Sequence, residues 1–136
     1  MMMRAAIALA WLAAVQAAPA SAAPAQCLKY GVDTTVVAGK LHRETFPGRP
    51  NYESVADGDE PETGYYLTLD PAICTVSGAG SNETDFPSVR EIQLVLNAAQ
   101  YAELKPWLGT VVRLRGKLFS AFTGHHHADV LLQVAK

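Results

Sequence analysis

Alternation of apolar and polar residues, interrupted by a single change of period, is the feature that most constrains the fold of this chain. Alternation of this kind is the period of a β-strand with one buried face. It occurs in five stretches: residues 34–44, 65–70, 89–96, 110–119 and 129–134. Between the third and fourth stretches, Asn97 and Gln100 have the spacing of a helix capping box. The apolar residues that follow share one helical stripe: Tyr101, Leu104 and Leu108. The predicted order is therefore β-β-β-α-β-β.

This order is that of the OB-fold, a partly open five-stranded Greek-key barrel. Gly39 and Gly116 lie in the first and fourth predicted strands, where a strongly bent barrel strand favours glycine. We therefore predict a mostly β, OB-fold-like five-stranded barrel with one short helix. A split sandwich with a packed helix is the alternative architecture. Pro71 is expected to end the second strand, and a long loop over residues 45–64 is expected between the first and second strands.

The first two dozen residues have the pattern of a cleavable secretory signal. A short positive region that ends at Arg4 precedes an apolar stretch, residues 5–15, which is too short to span a bilayer. Ala20 and Ala22 supply the small residues that signal peptidase accepts. We predict a signal peptide over residues 1–22 and export to the periplasm or the exterior. An uncleaved membrane anchor is the alternative, but no stop-transfer flank follows the apolar stretch.

The remaining residues, 23–136, have the length of one domain and a mildly acidic charge. Removal of the signal takes away Arg4 and no acid, which leaves 10 Lys and Arg against 13 Asp and Glu, a formal charge of −3. Partners such as nucleic acids and anionic membranes usually require a basic footprint, which this balance does not indicate. We therefore predict no nucleic-acid partner and no membrane insertion of the mature chain.

Two cysteines, Cys27 and Cys74, remain after export and allow only one intramolecular pairing. Two free thiols or a metal-binding pair are the alternatives, but their wide spacing and an oxidising compartment favour a disulfide. Cys27 also stands where a lipoprotein would carry its acylated cysteine. Gln26 is neither small nor aliphatic, and it argues against that modification.

Two predicted loops carry the unusual polar residues. The long loop contains four candidates for a ligand site, Arg49, Asn51, Tyr52 and Glu53, and an acidic turn with Asp57, Asp59 and Glu60. The loop between the last two strands contains His125, His126 and His127. In an OB-fold these two connections meet at the ligand-binding edge of the barrel. We therefore expect the acids and the histidines to be neighbours.

Consecutive histidines beside carboxylates offer nitrogen and oxygen ligands to a divalent metal ion such as Zn²⁺ or Cu²⁺. Extended backbone would place His125 and His127 on one side of the loop and His126 on the other. Two of the three side chains could then bind an ion together. The structural alternative is that the histidines hydrogen-bond to loop backbone and brace the long loop.

Several unusual motifs occur together in the two loops and the last strand: residues 46–54, 58–63, 123–127 and 130–132. With these motifs, the chain resembles the bacterial exported family known as domain of unknown function 4431, from Cys27 to about Val134. The resemblance implies an exported protein but no activity, because none is established for the family. The chain departs from the family pattern at Arg49 and Asp129, where prolines are usual, and at Gly64.

These observations favour a small exported binding module whose two polar loops form one site for a metal ion or a small ligand. The first alternative is a metal-dependent hydrolase in which histidines hold the metal and Asp59 or Glu60 acts as general base. The second is a structural or inhibitory envelope protein that binds another protein. We expect a binder rather than an enzyme, because neither Ser-His-Asp nor Cys-His residues occur in a usable arrangement.

Overall fold

A computed structural model describes residues 26–136, so the predicted signal peptide lies outside the described residues. This part of the chain forms six strands: β1 (Leu28–Lys29), β2 (Thr35–Pro47), β3 (Pro61–Val76), β4 (Phe86–Val95), β5 (Val111–Ser120) and β6 (Val130–Val134). Helix α1 (Ala98–Leu104) and a 3-10 turn (Lys105–Trp107) lie between β4 and β5. Among these elements, no helix has the length and apolar character that crossing a membrane requires.

Five of the strands close into a barrel. The hydrogen-bonded order is β3-β2-β5-β6-β4, and β4 also pairs with β3, which completes the circle. The β4–β6 pair is parallel and the other barrel pairs are antiparallel, while β1 adds a short parallel segment to the end of β3. The prediction of a mostly β, OB-like barrel with one helix between its third and fourth strands is confirmed.

The core fills the barrel with the inward residues of the alternating stretches. Its fully or nearly fully buried members include Val37, Leu41, Leu67, Leu69, Ile92, Leu94, Leu118, Val130 and Leu132. Full burial of one such side chain contributes about 1.5–3 kcal/mol. Helix α1 packs Tyr101 and Leu104 against this core. The predicted capping box is present, because Asn97 and Gln100 exchange backbone-to-side-chain hydrogen bonds of 2.9 Å.

Two glycines lie where barrel strands approach each other too closely for a side chain. A Cβ atom on Gly39 of β2 would stand 2.8 Å from the carbonyl oxygen of Thr68 in β3. A Cβ atom on Gly116 of β5 would overlap the carbonyl oxygen of Gln133 in β6. Glycine is therefore required at both positions by the strong curvature of the barrel.

The expectation that Pro71 ends the second barrel strand is wrong, because β3 continues through it to Val76. The β3–β4 ladder shifts its register between Thr68 and Ile73. Pro71 lies within this interruption, where its missing N–H group removes no ladder hydrogen bond.

The loop predicted over residues 45–64 is shorter than expected, because its two ends form the arms of a β-hairpin. Pairing between β2 and β3 extends as far as Phe46 opposite Glu62 and Pro47 opposite Pro61. The connection, named the hairpin loop below, therefore comprises residues 48–60. As a result Glu62 lies on a strand, where its position is set by the sheet.

The predicted disulfide is present and joins Cys27, directly before β1, to Cys74 in β3. It closes a loop with a sequence separation of 47 residues. Next to the bond, Leu28 and Lys29 pair with Thr75 and Val76. The disulfide therefore attaches the first described residues to β3, next to the two-residue strand β1.

We expect the double variant Cys27→Ala, Cys74→Ala to fold with a lower free energy of unfolding, by about 4 kcal/mol. The physical reason is the restriction that a crosslink over a loop of this length imposes on the unfolded chain. Urea unfolding of the two proteins measures the difference. A variant within about 1 kcal/mol of the wild type would contradict this prediction, because disulfides of this kind typically contribute 2–4 kcal/mol.

Candidate functional site

One row of side chains crosses the outside of the barrel because the strand registers align them. His42 lies opposite Tyr66, Tyr66 opposite Gln93, Gln93 opposite Leu131, and Leu131 opposite Phe119. We call these five residues the outer row. Tyr66 and Leu131 point away from the core, yet they are only 1% and 0% exposed. Other parts of the chain therefore cover this side of the barrel.

The loop between β5 and β6, residues 121–129, is held to the outer row by Gln93. We call this loop the histidine loop. The backbone N–H of His127 donates to Gln93 Oε1 at 2.6 Å. Gln93 Nε2 in turn donates to the carbonyl oxygen of His125 at 3.1 Å. One side chain thus holds the backbone on both sides of His126. Sequence reasoning did not single out Gln93, whose only signal is its polar, outward position in the alternation of β4.

Glu62 joins this loop to the hairpin formed by β2 and β3. His125 Nδ1 is 2.6 Å from Glu62 Oε1, and His127 Nε2 is 2.7 Å from Glu62 Oε2. Phe46 stacks on the His127 ring with centroids 4.6 Å apart and planes 5° apart, and it also contacts Tyr66 at 5.6 Å. We call the three residues Glu62, His125 and His127 the histidine bridge.

The charge of Glu62 is stabilised by its two histidine partners. Partial burial raises the pKa of this carboxyl group, but the hydrogen bonds from His127 and His125, together with their charge, outweigh that effect and lower it. A lowered folded-state pKa means that the bridge stabilises the fold above the unfolded pKa and loses this contribution only as the pH falls through the folded value. The histidine bridge is therefore expected to persist in mildly acidic solution.

His126 has different surroundings from its two neighbours. Its Nδ1 accepts a hydrogen bond of 3.0 Å from the backbone N–H of Phe122. Its ring packs edge-on against Phe122 and Phe119, with centroid distances of 4.7 and 5.6 Å. Burial, and then the charges of His125 and His127, lower the pKa of His126. Its role in this geometry is to order the turn that presents the other two histidines.

Asp59 organises the hairpin loop from within. Its carboxylate accepts backbone hydrogen bonds from Asn51, Glu53 and Ser54 at 2.8, 2.7 and 2.9 Å. These hydrogen bonds lower the pKa of the Asp59 carboxyl group. The carboxylate thus satisfies three N–H groups of the turn around Tyr52 and makes no hydrogen bond to a histidine among the described contacts.

Tyr52 is the residue of the hairpin loop that touches the histidine loop. Its backbone has a φ of 59°, a left-handed conformation that is rare for a bulky side chain. The Tyr52 ring meets His125 edge-on at a centroid distance of 5.8 Å. A Cβ atom on Gly124 would stand 3.1 Å from the Tyr52 ring, so the loops fit closely at this point.

The other sequence-predicted residues of the hairpin loop use backbone groups or face solvent. The carbonyl oxygen of Arg49 accepts from the N–H of Glu60 at 2.7 Å, and the N–H of Asp57 donates to the carbonyl oxygen of Ser54 at 3.3 Å. The Asp57 and Glu60 side chains are exposed. In residues 26–136, Glu62 is thus the acid of this segment that pairs with the histidines. A ligand-binding role for the other candidates stays a prediction.

A second polar group includes His42 of the outer row and has the composition of a metal site. His42 Nε2 is 3.0 Å from Glu44 Oε1 and 3.4 Å from Glu91 Oε2. One ligand atom from each residue lies within 4.8 Å of the other two, and this is the one group of three such side chains in the described part of the chain. Sequence reasoning missed this group, although the His-x-Glu spacing of His42 and Glu44 places both on one face of a strand.

A small cleft adjoins both polar groups. Its volume is about 250 Å³, and it is lined by residues 88–91 of β4 and residues 127–129 of the histidine loop. Glu91 belongs to the His42 group and His127 to the histidine bridge. The cleft is therefore lined by one residue of each polar group.

The described chain is thus a closed OB-like β-barrel with a His/Glu group that could hold a metal ion. The model of the family described as "Domain of unknown function (DUF4431)" matches residues 91–136, which confirms the predicted family resemblance over that segment. The match includes Glu91, Gln93 and the three histidines, whereas His42, Glu44 and Glu62 precede it. No curated protein and no solved structure gives a match.

We expect Asp59→Asn to lower the melting temperature by several degrees at pH 7, because an amide cannot accept three N–H groups as a carboxylate does. This difference in melting temperature between Asp59→Asn and the wild type should disappear at low pH. A lowered folded-state pKa contributes stability above the unfolded value, near 3.8, and this contribution is lost as the pH falls through the folded value. Thermal unfolding of Asp59→Asn and the exposed control Asp57→Asn between pH 7 and pH 2 measures the effect. Equal melting temperatures of the two variants at pH 7 would contradict it.

We expect Glu62→Gln to loosen the contact between the histidine loop and the hairpin and to lower the free energy of unfolding by about 2 kcal/mol, because the charge that strengthens both hydrogen bonds is lost. Hydrogen–deuterium exchange should show faster exchange in residues 121–129 and in the hairpin loop. Glu60→Gln, which removes an exposed charge from the same hairpin, is the matched control. Unchanged exchange in both loops of Glu62→Gln would show that the bridge does not hold them.

Proposed function

We propose that this chain is an exported binding module that holds one divalent metal ion, Zn²⁺ or Cu²⁺, through His42, Glu44 and Glu91. The observation that carries the proposal is the convergence of one imidazole and two carboxylates from β2 and β4 within 4.8 Å. The binding module predicted from the sequence is kept, but the metal ligands are assigned to the strands instead of the histidine loop.

The distances in this group suit a tetrahedral ion. With metal–ligand bonds of about 2.0–2.1 Å, neighbouring ligand atoms of a tetrahedral Zn²⁺ lie about 3.3 Å apart. The separations of His42 Nε2 from Glu91 Oε2 and from Glu44 Oε1, 3.4 and 3.0 Å, are close to this value. Imidazole with carboxylate also suits Cu²⁺. The side chains are 24%, 39% and 38% exposed, which leaves an open side for a water molecule or a small ligand.

The second ring nitrogen of His42 has partners of the kind that orient metal-binding histidines. Nδ1 lies 3.3 Å from Thr68 Oγ1 and 3.4 Å from the carbonyl oxygen of Lys40. A hydrogen bond from Nδ1–H to one of these oxygens would leave the Nε2 lone pair directed at the carboxylates. These oxygens are therefore placed to accept the Nδ1–H that a metal-bound His42 would carry.

The surrounding charge also favours a cation. Glu44 and Glu91 both approach His42, and two nearby carboxylates are stabilised by a positive ion between them. The same negative charge acts on Tyr66 in the outer row. Burial first, and then the charges of Glu44 and Glu91, raise the pKa of the Tyr66 hydroxyl far above its usual range.

The export part of the proposal rests on the signal peptide predicted over residues 1–22 and on the disulfide. Disulfides persist in oxidising compartments such as the periplasm and the exterior, and are rare in the cytosol. The Cys27–Cys74 bond is therefore what an exported domain would contain. An envelope protein as partner is a further prediction, which a metal ion at this face does not exclude.

Metal-dependent hydrolysis is the second candidate, and the cleft beside Glu91 is the observation that favours it. Three protein ligands with an open fourth position are typical of catalytic zinc sites. However, the proposed general base Asp59 already accepts three backbone hydrogen bonds in the hairpin loop. Binding therefore has more support than hydrolysis.

Calorimetric titration of the metal-stripped mature protein with Zn²⁺ and with Cu²⁺ tests the proposal. We expect one ion per chain, and we expect His42→Ala to weaken binding by more than about 100-fold. This factor is the upper end of the effect of losing an outer-shell partner, and His42 is proposed as a direct ligand. Melting temperatures of the metal-free proteins establish that the variant is folded.

The double variant His125→Ala, His127→Ala is the matched control, because it removes two imidazoles and leaves the proposed ligands in place. It should bind the ion like the wild type. Absence of binding by the wild type, or loss of binding in this double variant but not in His42→Ala, would overturn the assignment. Turnover of ester or phosphoester substrates by the metal-loaded protein, if it is lost in His42→Ala, would favour the hydrolase over the binding module.

A further inference from the structure

Four basic side chains follow the outer face of β2 and β5. The inward residues of β5 alternate with Arg113, Arg115 and Lys117, and Lys40 of β2 lies beside them on the same face. Arg113 is opposite Ala38, Arg115 is opposite Val36, and Lys40 is opposite Val111. We call Lys40, Arg113, Arg115 and Lys117 the basic stripe. The backbone positions of neighbouring members along β5 are about 6.8 Å apart, twice the rise per residue of a strand.

Most of this charge is not neutralised within the molecule. Lys117 pairs with Asp33 at 2.9 Å. Over residues 26–136, no acidic side chain forms an ion pair with Lys40, Arg113 or Arg115, and all three are exposed. The acids lie elsewhere, and five of them follow one another in and beside the hairpin loop: Glu53, Asp57, Asp59, Glu60 and Glu62. The chain as a whole is therefore acidic, although this face of the barrel is basic.

Exposed valines lie between the basic side chains of the stripe. Val111 is 72% exposed and Val36 is 45% exposed, and each lies directly opposite a member of the basic stripe. Strand residues that face solvent are commonly polar, so two exposed valines between cations form a mixed surface. The face presents both charge for an anion and apolar side chains for a nonpolar contact.

We infer that the basic stripe, with Val36 and Val111, docks the domain on an anionic phospholipid surface. Basic residues near such a surface are attracted by its negative potential, and adjacent apolar side chains can enter the boundary between headgroups and acyl chains. Single-stranded nucleic acid is less well matched, because its binding usually uses exposed aromatic platforms. The outward residues between the cations are Val36, Ala38 and Val111, and the next outward aromatic residue of β5, Phe119, packs against Phe122 and His126. The inference does not depend on the proposed metal site.

Co-sedimentation of the metal-free mature protein with vesicles tests the inference. We expect binding to vesicles of phosphatidylcholine with about 30% phosphatidylglycerol, whose surface is negatively charged. We expect no binding to vesicles of phosphatidylcholine alone. The double variant Arg113→Gln, Arg115→Gln should bind about 25-fold more weakly, because each cation near an anionic bilayer contributes about fivefold. Lys29→Gln, Arg43→Gln is the matched control, since it removes the same charge from exposed positions outside the basic stripe, and it should bind like the wild type.

Val111→Ser separates a bilayer from a simple polyanion. It should weaken vesicle binding several-fold, because a bilayer provides an apolar boundary that a soluble polyanion lacks. Equal binding to neutral and anionic vesicles, or equal binding by the two double variants, would overturn the inference. Tighter binding of a single-stranded oligonucleotide than of anionic vesicles, with no effect of Val111→Ser, would identify nucleic acid as the partner instead of a membrane surface.

Discussion

Closure of the barrel by β4 is the constraint on which the rest of the structure depends. This strand pairs with β3 on one side and with β6 on the other, so it joins the two ends of the sheet. Because Gln93 lies opposite both Tyr66 and Leu131, closure also brings the histidine loop next to the hairpin of β2 and β3. Glu62 and the histidines, more than sixty residues apart, then meet. The outer row is continuous only in the closed barrel.

The polar residues on this side of the barrel divide into two groups with different roles. In the histidine bridge, His125 and His127 each use a ring nitrogen to bind Glu62, which ties two loops together. In the second group, one imidazole faces two carboxylates that remain partly exposed. The first arrangement surrounds one carboxylate with two imidazoles, whereas the second surrounds one imidazole with two carboxylates, which a cation would balance. This difference is why we assign the proposed ion to His42 and not to the consecutive histidines.

Much of the fold could be predicted because alternation is a local signal. The inward faces of the five barrel strands, the capping box at Asn97 and the place of the helix all follow from nearby residues. Pro71 misled the prediction, since whether a proline interrupts a ladder depends on the register of the neighbouring strand. The group of His42, Glu44 and Glu91 could not be predicted, because β3 lies between the strands that carry it. Gln93 was missed because its partners, the backbone groups of His125 and His127, come next to it only when β4 pairs with β6.

The amino-acid sequence by itself determined the strand order, the residues that form the core and the only possible cysteine pairing. It did so because burial and helix capping depend on residue type and spacing along the chain, and because two cysteines allow only one intramolecular pair. The tertiary structure decided which acid meets the histidines, which imidazole meets two free carboxylates, and which cations share an unpaired face. These relations depend on strand register and barrel closure. They join side chains on different strands, and a local sequence pattern does not indicate the distance between such side chains.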